Sequence, residues 1–150
     1  MTTYYVDTSA LVKRYVPETG SEWVVQWSSQ SADNVLIICA LTTVEMVSHF
    51  ARREREGAIL TPDRVQMQNH FLRHVDDEYL VVDLEPPVLE IARQLLVKYP
   101  LRALDSLQLA GAVEAVRLTN STPIFISADK RLLNAATAEG FSVINPNQYP

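Results

Sequence analysis

Short apolar runs alternate with helical stretches along the whole chain, and this alternation leaves few folds open. Tyr4-Tyr5-Val6, residues 35–39, 79–84 and 123–127 are rich in β-branched and aromatic side chains, and residues 141–144 form a last short run ending at Pro146. Brief, near-continuous apolar runs mark strands covered on both faces. Helical spacing fills the intervals at 9–15, 18–28, 42–56, 61–77, 87–99, 105–118 and 130–139. Strands joined through helices pair in parallel by right-handed crossovers, so the expected class is α/β with a central, mainly parallel sheet. The helix over 42–56 ends in Arg52-Arg53-Glu54-Arg55-Glu56 and stops at Gly57, and Thr61-Pro62-Asp63 opens the next, because proline fits a first turn. These two helices are expected to form a hairpin. In the helix over 105–118, Leu107, Leu109, Ala110, Val113 and Val116 are the expected inward residues, and Gly140 caps the last helix. There is no repeat, low-complexity tract or linker, so residues 1–150 read as a single domain.

A chain of 150 residues buries enough surface to need no covalent staples. Cys39 is the only cysteine, which excludes an intrachain disulfide or a cysteine-based metal site, and its apolar surroundings predict a buried thiol. The N-terminus lacks the basic and apolar segments of a signal peptide, and no run approaches the roughly 20 apolar residues of a membrane helix. The expectation is a soluble, cytoplasmic protein. A net charge of −5 argues against a generic nucleic-acid coat, which carries a basic face. It does not argue against an enzyme acting on phosphates, because cations bound by carboxylates reverse the sign of the local field.

Four carboxylates stand where a strand gives way to a helix or in a helix's first turns: Asp7, Glu45, Asp105 and Asp129. Each has a structural explanation. Asp7 and Asp129 suit helix caps, Asp105-Ser106-Leu107-Gln108 has the form of a cap with Gln three residues on, and Thr42-Thr43-Val44-Glu45 matches a capping box. In a parallel sheet, however, strand C-termini and helix N-termini share one edge, so four such acids tend toward one region. All-carboxylate sites suit hard cations such as Mg²⁺ or Mn²⁺, which retain water and take phosphate oxygens as further ligands.

Lys13, Arg14, Arg52, Arg53, Arg55, Arg102, Lys130 and Arg131 stand near the acids in sequence, either as cations rimming a phosphate path or as solvated surface charge. His70 and His74 have a metal-binding spacing with no third ligand nearby, so ordinary histidines are the preferred reading. His49 stands one turn beyond Glu45, a spacing compatible with facing the site, but an ordinary surface or partly buried histidine is the preferred reading. Trp23 and Trp27 suit core or a partner-binding face, and the Thr8 and Ser9 hydroxyls suit a supporting role.

Asp7-Thr8-Ser9-Ala10-Leu11, Glu45, Leu104-Asp105-Ser106-Leu107-Gln108-Leu109-Ala110 and Ile126-Ser127-Ala128-Asp129-Lys130-Arg131-Leu132 together resemble the motifs of PIN-domain ribonucleases, in particular VapC-like toxins of type II toxin–antitoxin pairs. The resemblance spans nearly the whole chain, through Gly140-Phe141-Ser142-Val143-Ile144-Asn145-Pro146. One departure is Ser106, where the family often has alanine. The resemblance implies a PIN-like three-layer α/β/α domain and an endoribonuclease dependent on Mg²⁺ or Mn²⁺. Asp7, Glu45, Asp105 and Asp129 would be its catalytic and metal-binding quartet, with Glu45 a ligand or the orienter of the attacking water. It further implies RNA as substrate, a 5′-phosphate and a 3′-hydroxyl as products, a cognate antitoxin whose flexible tail covers the site, and a homodimer. Two rivals stand beside this reading. A phosphatase of the haloacid-dehalogenase type also begins with an aspartate after its first strand, but needs a second one two residues on, where this chain has Ser9. A PIN-fold binding module without catalysis is the other.

Overall fold

A computed structural model describes residues 1–150. Its strands are β1 (Thr3–Val6), β2 (Val35–Cys39), β3 (Leu80–Val82), β4 (Ile124–Ile126) and β5 (Val143–Ile144). They form one sheet in the order β3-β2-β1-β4-β5, and every neighbouring pair is parallel. The helices are α1 (Thr8–Leu11), which tightens into a 3₁₀ turn at Val12–Arg14, α2 (Ser21–Ser28), α3 (Ala40–Arg55), α4 (Thr61–Asp77), α5 (Pro86–Lys98), α6 (Ala103–Thr119) and α7 (Lys130–Ala138). No helix is long and apolar enough to cross a membrane.

The period-two geometry of a strand sorts side chains between two cores. Along β2, Leu36 and Ile38 enter the core made with α1 to α4, while Ile37 and Cys39 enter the core made with α5 to α7. Tyr5 and Phe125 join the latter and Val6 and Ile126 the former, so the central strands are covered on both faces. This is the three-layer α/β/α arrangement, and it explains why the strand sequences read as continuous apolar runs. The expected hairpin is also present. Phe50 of α3 meets Phe71 of α4 edge-on, and Arg64 ties back to Glu54 at 2.6 Å.

Several boundaries differ from expectation, and two of the differences move acids. Helix α3 leaves β2 without a loop, its N-cap being Cys39 in extended geometry, and α6 starts from Arg102; neither has a side-chain cap. Thr42 is therefore inside α3, Glu45 does not complete a capping box, and Asp105 lies in the first turn of α6 instead of capping it. Helix α2 begins at Ser21 because the preceding Gly20 adopts φ +87°, and a Cβ there would lie 2.4 Å from the Pro146 carbonyl oxygen. Only glycine fits that close, left-handed turn.

Strand order reverses beside β1: β2 and β3 lie to one side, β4 and β5 to the other. Parallel sheets open a crevice at the carboxyl ends of strands flanking such a reversal. Asp7 follows β1 directly, and Asp129 stands three residues beyond β4.

Candidate active site

Asp7 is the most buried of the four acids, at 6% exposure. Its backbone N–H still donates to the Ile126 carbonyl at 3.0 Å, extending the β1–β4 ladder to the crevice. Its Oδ2 accepts from Ser9 Oγ at 2.6 Å and Ser127 Oγ at 2.9 Å. Ser9 Oγ in turn accepts from the Ala128 N–H and Ser127 Oγ from the Asp129 N–H, each at 3.0 Å, so two hydroxyls lock both strand ends around one carboxylate. Desolvation pushes the Asp7 carboxyl up to about 6; the two hydroxyls oppose the shift, and the charges of Glu45 and Asp105 add to it.

Asp129 is a genuine helix cap. Its Oδ1 accepts from the backbone N–H groups of Arg131 at 2.9 Å and Leu132 at 3.2 Å. Glu45 projects from α3, and its Oε1 accepts from Thr8 Oγ1 and from Gln108 Nε2, both at 2.8 Å. Asp105, on α6, lies 3.9 Å from Arg102 Nε, and its pKa is raised by burial first and by Asp129 next, with Glu45 adding a smaller part. All four acids line one cleft. Sheet and both helix layers thus contribute to a single acidic site.

Asp7, Glu45 and Asp129 each commit one oxygen to the protein and leave Oδ1, Oε2 and Oδ2, respectively, without a protein hydrogen bond. As the side chains lie, no three His, Cys, Asp or Glu residues stand close enough together to hold a metal ion. The donors are all hard oxygens around an open cleft, with Asp7, Glu45 and Asp129 anchored by hydrogen bonds, and this chemistry fits a cation that keeps water and completes its shell with substrate phosphate.

The cations sort by helix geometry. Arg52 stands two turns beyond Glu45 on α3 and lines the cleft with Lys13 and Arg102, whereas Arg53 and Arg55 are rotated away. Lys13 is buried and tied to Glu18 Oε1 at 2.9 Å and the Thr19 carbonyl at 2.7 Å. Arg14 does not rim the site: it turns away to Glu78 at 3.0 Å and the Tyr79 hydroxyl at 2.7 Å. Lys130 and Arg131 do not line the cleft either.

His49 does line it, and burial holds its imidazole below the usual range. His70 and His74 face away into the Arg14 network, where Tyr15 Oη meets His74 Nδ1 at 2.7 Å. Burial, then the neighbouring Arg14, lowers the His74 pKa to about 4, so it is neutral near pH 7. Trp27 packs on Tyr4, and Trp23 stacks on Tyr149 with ring centroids 4.4 Å apart, which makes both part of the packing.

Sequence reasoning missed Thr42, Gln108 and Ser127, all buried and all bonded to the acids or their partners. For Gln108 a signal existed: an amide on the inward stripe of a helix, between Leu107 and Leu109, demands a polar partner inside.

The PIN domain family model matches residues 4–138, and the chain belongs to the PIN domain family. The chain is 29% identical over 147 residues to ribonuclease VapC35 of Mycobacterium tuberculosis, covering 96% of this chain and 97% of that one. Among solved structures, it is similar in fold to VapC20 of M. tuberculosis, described as a sarcin–ricin-loop-cleaving toxin, with a TM-score of 0.63 at 16% identity over 92% of this chain and 95% of that one. A toxin–antitoxin complex from Klebsiella pneumoniae gives 0.60 at 15% identity over 95% and 97%. VapBC2 of Rickettsia felis, bound to a promoter DNA fragment, gives 0.63 at 10% over 96% and 98%. The motif resemblance to VapC-like PIN ribonucleases is borne out, and the phosphatase alternative is not: Ser9, at the position where that chemistry needs an acid, is a hydroxyl that orients Asp7.

Proposed function

We propose that residues 1–150 act as one PIN domain, a divalent-metal-dependent endoribonuclease and the toxin of a toxin–antitoxin pair. The observation that supports it most is the convergence of Asp7, Glu45, Asp105 and Asp129 on one cleft, with an uncommitted oxygen on three of them. An RNA phosphodiester is anionic and repels a water nucleophile. Asp7, Asp105 and Asp129, with Glu45, would hold a Mg²⁺ or Mn²⁺ ion, which would supply the charge that polarises the phosphoryl group and acidifies water.

The chain's own residues do the rest. Ser9 and Ser127 orient Asp7, the α7 N-terminus orients Asp129, and Thr8 orients Glu45. Glu45 orients the attacking water or joins the ligands. Arg52 and Arg102 line the cleft and would meet flanking phosphates at the rim. In-line attack forms a bond from water oxygen to phosphorus and breaks the bond to O3′, and the proton ends on the departing 3′ oxygen. The expected products of incubation with RNA and Mn²⁺ carry 5′-phosphate and 3′-hydroxyl ends, read by end-labelling. A 2′,3′-cyclic phosphate would instead mean attack by the ribose hydroxyl and would overturn the hydrolytic scheme. Absence of cleavage would favour the binding module.

The partner in this reading is an antitoxin whose tail sets a basic side chain among the acids and covers the apolar lip, where Val44 is 67% and Leu104 51% exposed. The similarity to toxin–antitoxin complexes supports a partner of this kind. A homodimer and a cytoplasmic location belong to the same proposal and rest on the family resemblance. The purified complex is expected to cleave RNA at least about 100-fold more slowly than the free protein, since losing access to the site removes most of the catalysis. Equal rates would exclude coverage of the site.

A further inference from the structure

We infer that Gln108 is a positioning residue that sets the orientation of Glu45. The inference rests on the nuclease reading of the cleft and deepens it. Gln108 is 1% exposed, one turn beyond Asp105 on α6, and reaches across the sheet edge to α3. The two N–H groups of its Nε2 are shared among three acceptors, Glu45 Oε1 at 2.8 Å, Thr42 Oγ1 at 2.9 Å and Thr8 Oγ1 at 3.1 Å. Its Oε1 faces the hydroxyl of fully buried Tyr5 at 3.4 Å. The carboxylate decides which way the amide points: turned over, Gln108 would aim an oxygen at an anion and its NH₂ at a hydroxyl proton.

Space for this arrangement comes from the next turn of α6. A Cβ on Gly111 would lie 2.3 Å from the Tyr5 hydroxyl oxygen, so the ring reaches Gln108 only because residue 111 has no side chain. Helix α6 thus presents acid, amide and gap at Asp105, Gln108 and Gly111, one turn apart on one face. A buried amide among leucines is costly unless it is paired, and its strongest partner here is the charged one. By holding Oε1, the Gln108 amide and the Thr8 hydroxyl leave Oε2 as the oxygen offered to the cleft. Glu45 and Asp105 come from helices on opposite faces of the sheet, and Gln108 is the side chain that joins those two helices at the site.

The test uses Gln108→Met, which keeps volume and removes the donors, with Gln108→Asn, which keeps the amide and shortens its reach, as the milder variant should the first fail to fold. Mn²⁺ affinity is measured by electron paramagnetic resonance on the RNA-free protein, and kcat and KM with RNA. Partners that orient metal ligands typically matter by about 10- to 100-fold. The expected result for Gln108→Met is a loss of that order in Mn²⁺ affinity and in kcat, with KM for RNA unchanged. In a Glu45→Ala background the same substitution should weaken Mn²⁺ binding no further. Wild-type Mn²⁺ affinity together with wild-type kcat in folded Gln108→Met, or an equal loss with Glu45 already removed, overturns the inference and leaves the nuclease reading intact; wild-type affinity with a lowered kcat upholds the inference and assigns Glu45 to the attacking water. If Glu45→Ala itself binds Mn²⁺ and cleaves RNA as wild type does, that reading fails for Glu45 and the inference fails with it.

Discussion

Asp7→Asn is expected to raise the melting temperature of the metal-free protein at pH 8 while lowering RNA cleavage by on the order of 10³-fold. The stability gain follows from proton linkage. Burial raises the folded-state pKa of Asp7 from 3.8 to about 6, so between those values the folded protein holds a proton that the unfolded chain has released. Stability therefore falls as pH rises through this window, and the penalty is complete above it. A shift of this size corresponds to about 3 kcal/mol, which for a chain of this length is a change of several degrees. Asparagine has no charge to bury and keeps an oxygen for the Ser9 and Ser127 hydroxyls. Unfolding curves in EDTA should show the variant ahead at pH 8 and level with wild type near pH 4. A variant less stable at pH 8, or a gap indifferent to pH, would mean that no such electrostatic penalty exists.

Removal of divalent cations by EDTA is expected to reduce RNA cleavage to background, and excess Mn²⁺ to restore it. The same ion should stabilise the fold, by about 2.7 kcal/mol at a free concentration 100 times its dissociation constant. The gain should be larger at pH 8 than at pH 5, because binding requires ionised carboxylates and must displace the proton that Asp7 otherwise holds at the lower pH. Cleavage and thermal unfolding measured at both pH values check the two halves together. Full activity in EDTA would rule out a metal mechanism.

The parts of the fold legible from sequence were those set by local pattern. Short, near-continuous apolar runs marked the strands, and those before Asp7 and before Asp129 put both acids at the crevice. Helix starts were less legible. Thr42 and Asp105 have good capping chemistry, yet α3 and α6 begin earlier, at positions dictated by where the chain leaves the sheet. Thr42 uses its hydroxyl in a tertiary contact instead. Long-range pairings left no local trace: Arg14 finds Glu78, and Tyr15 finds His74, across separations of 64 and 59 residues. Reading Arg14 as a rim cation failed for that reason. Gln108 belongs to the same group, since an amide's partner on another helix cannot be inferred from spacing on its own.

The reversal of strand order beside β1 also bears on biosynthesis. Strand β1 emerges before the other four strands but occupies the middle of the sheet, and one of its edges stays bare until β4 arrives. A nascent chain that stops short of Ile124 lacks that strand, the Ser127 hydroxyl that orients Asp7, and Asp129. During synthesis the sheet and the acidic cleft are therefore completed by the same segment, and a translation product that stops before β4 carries at most three of the four acids.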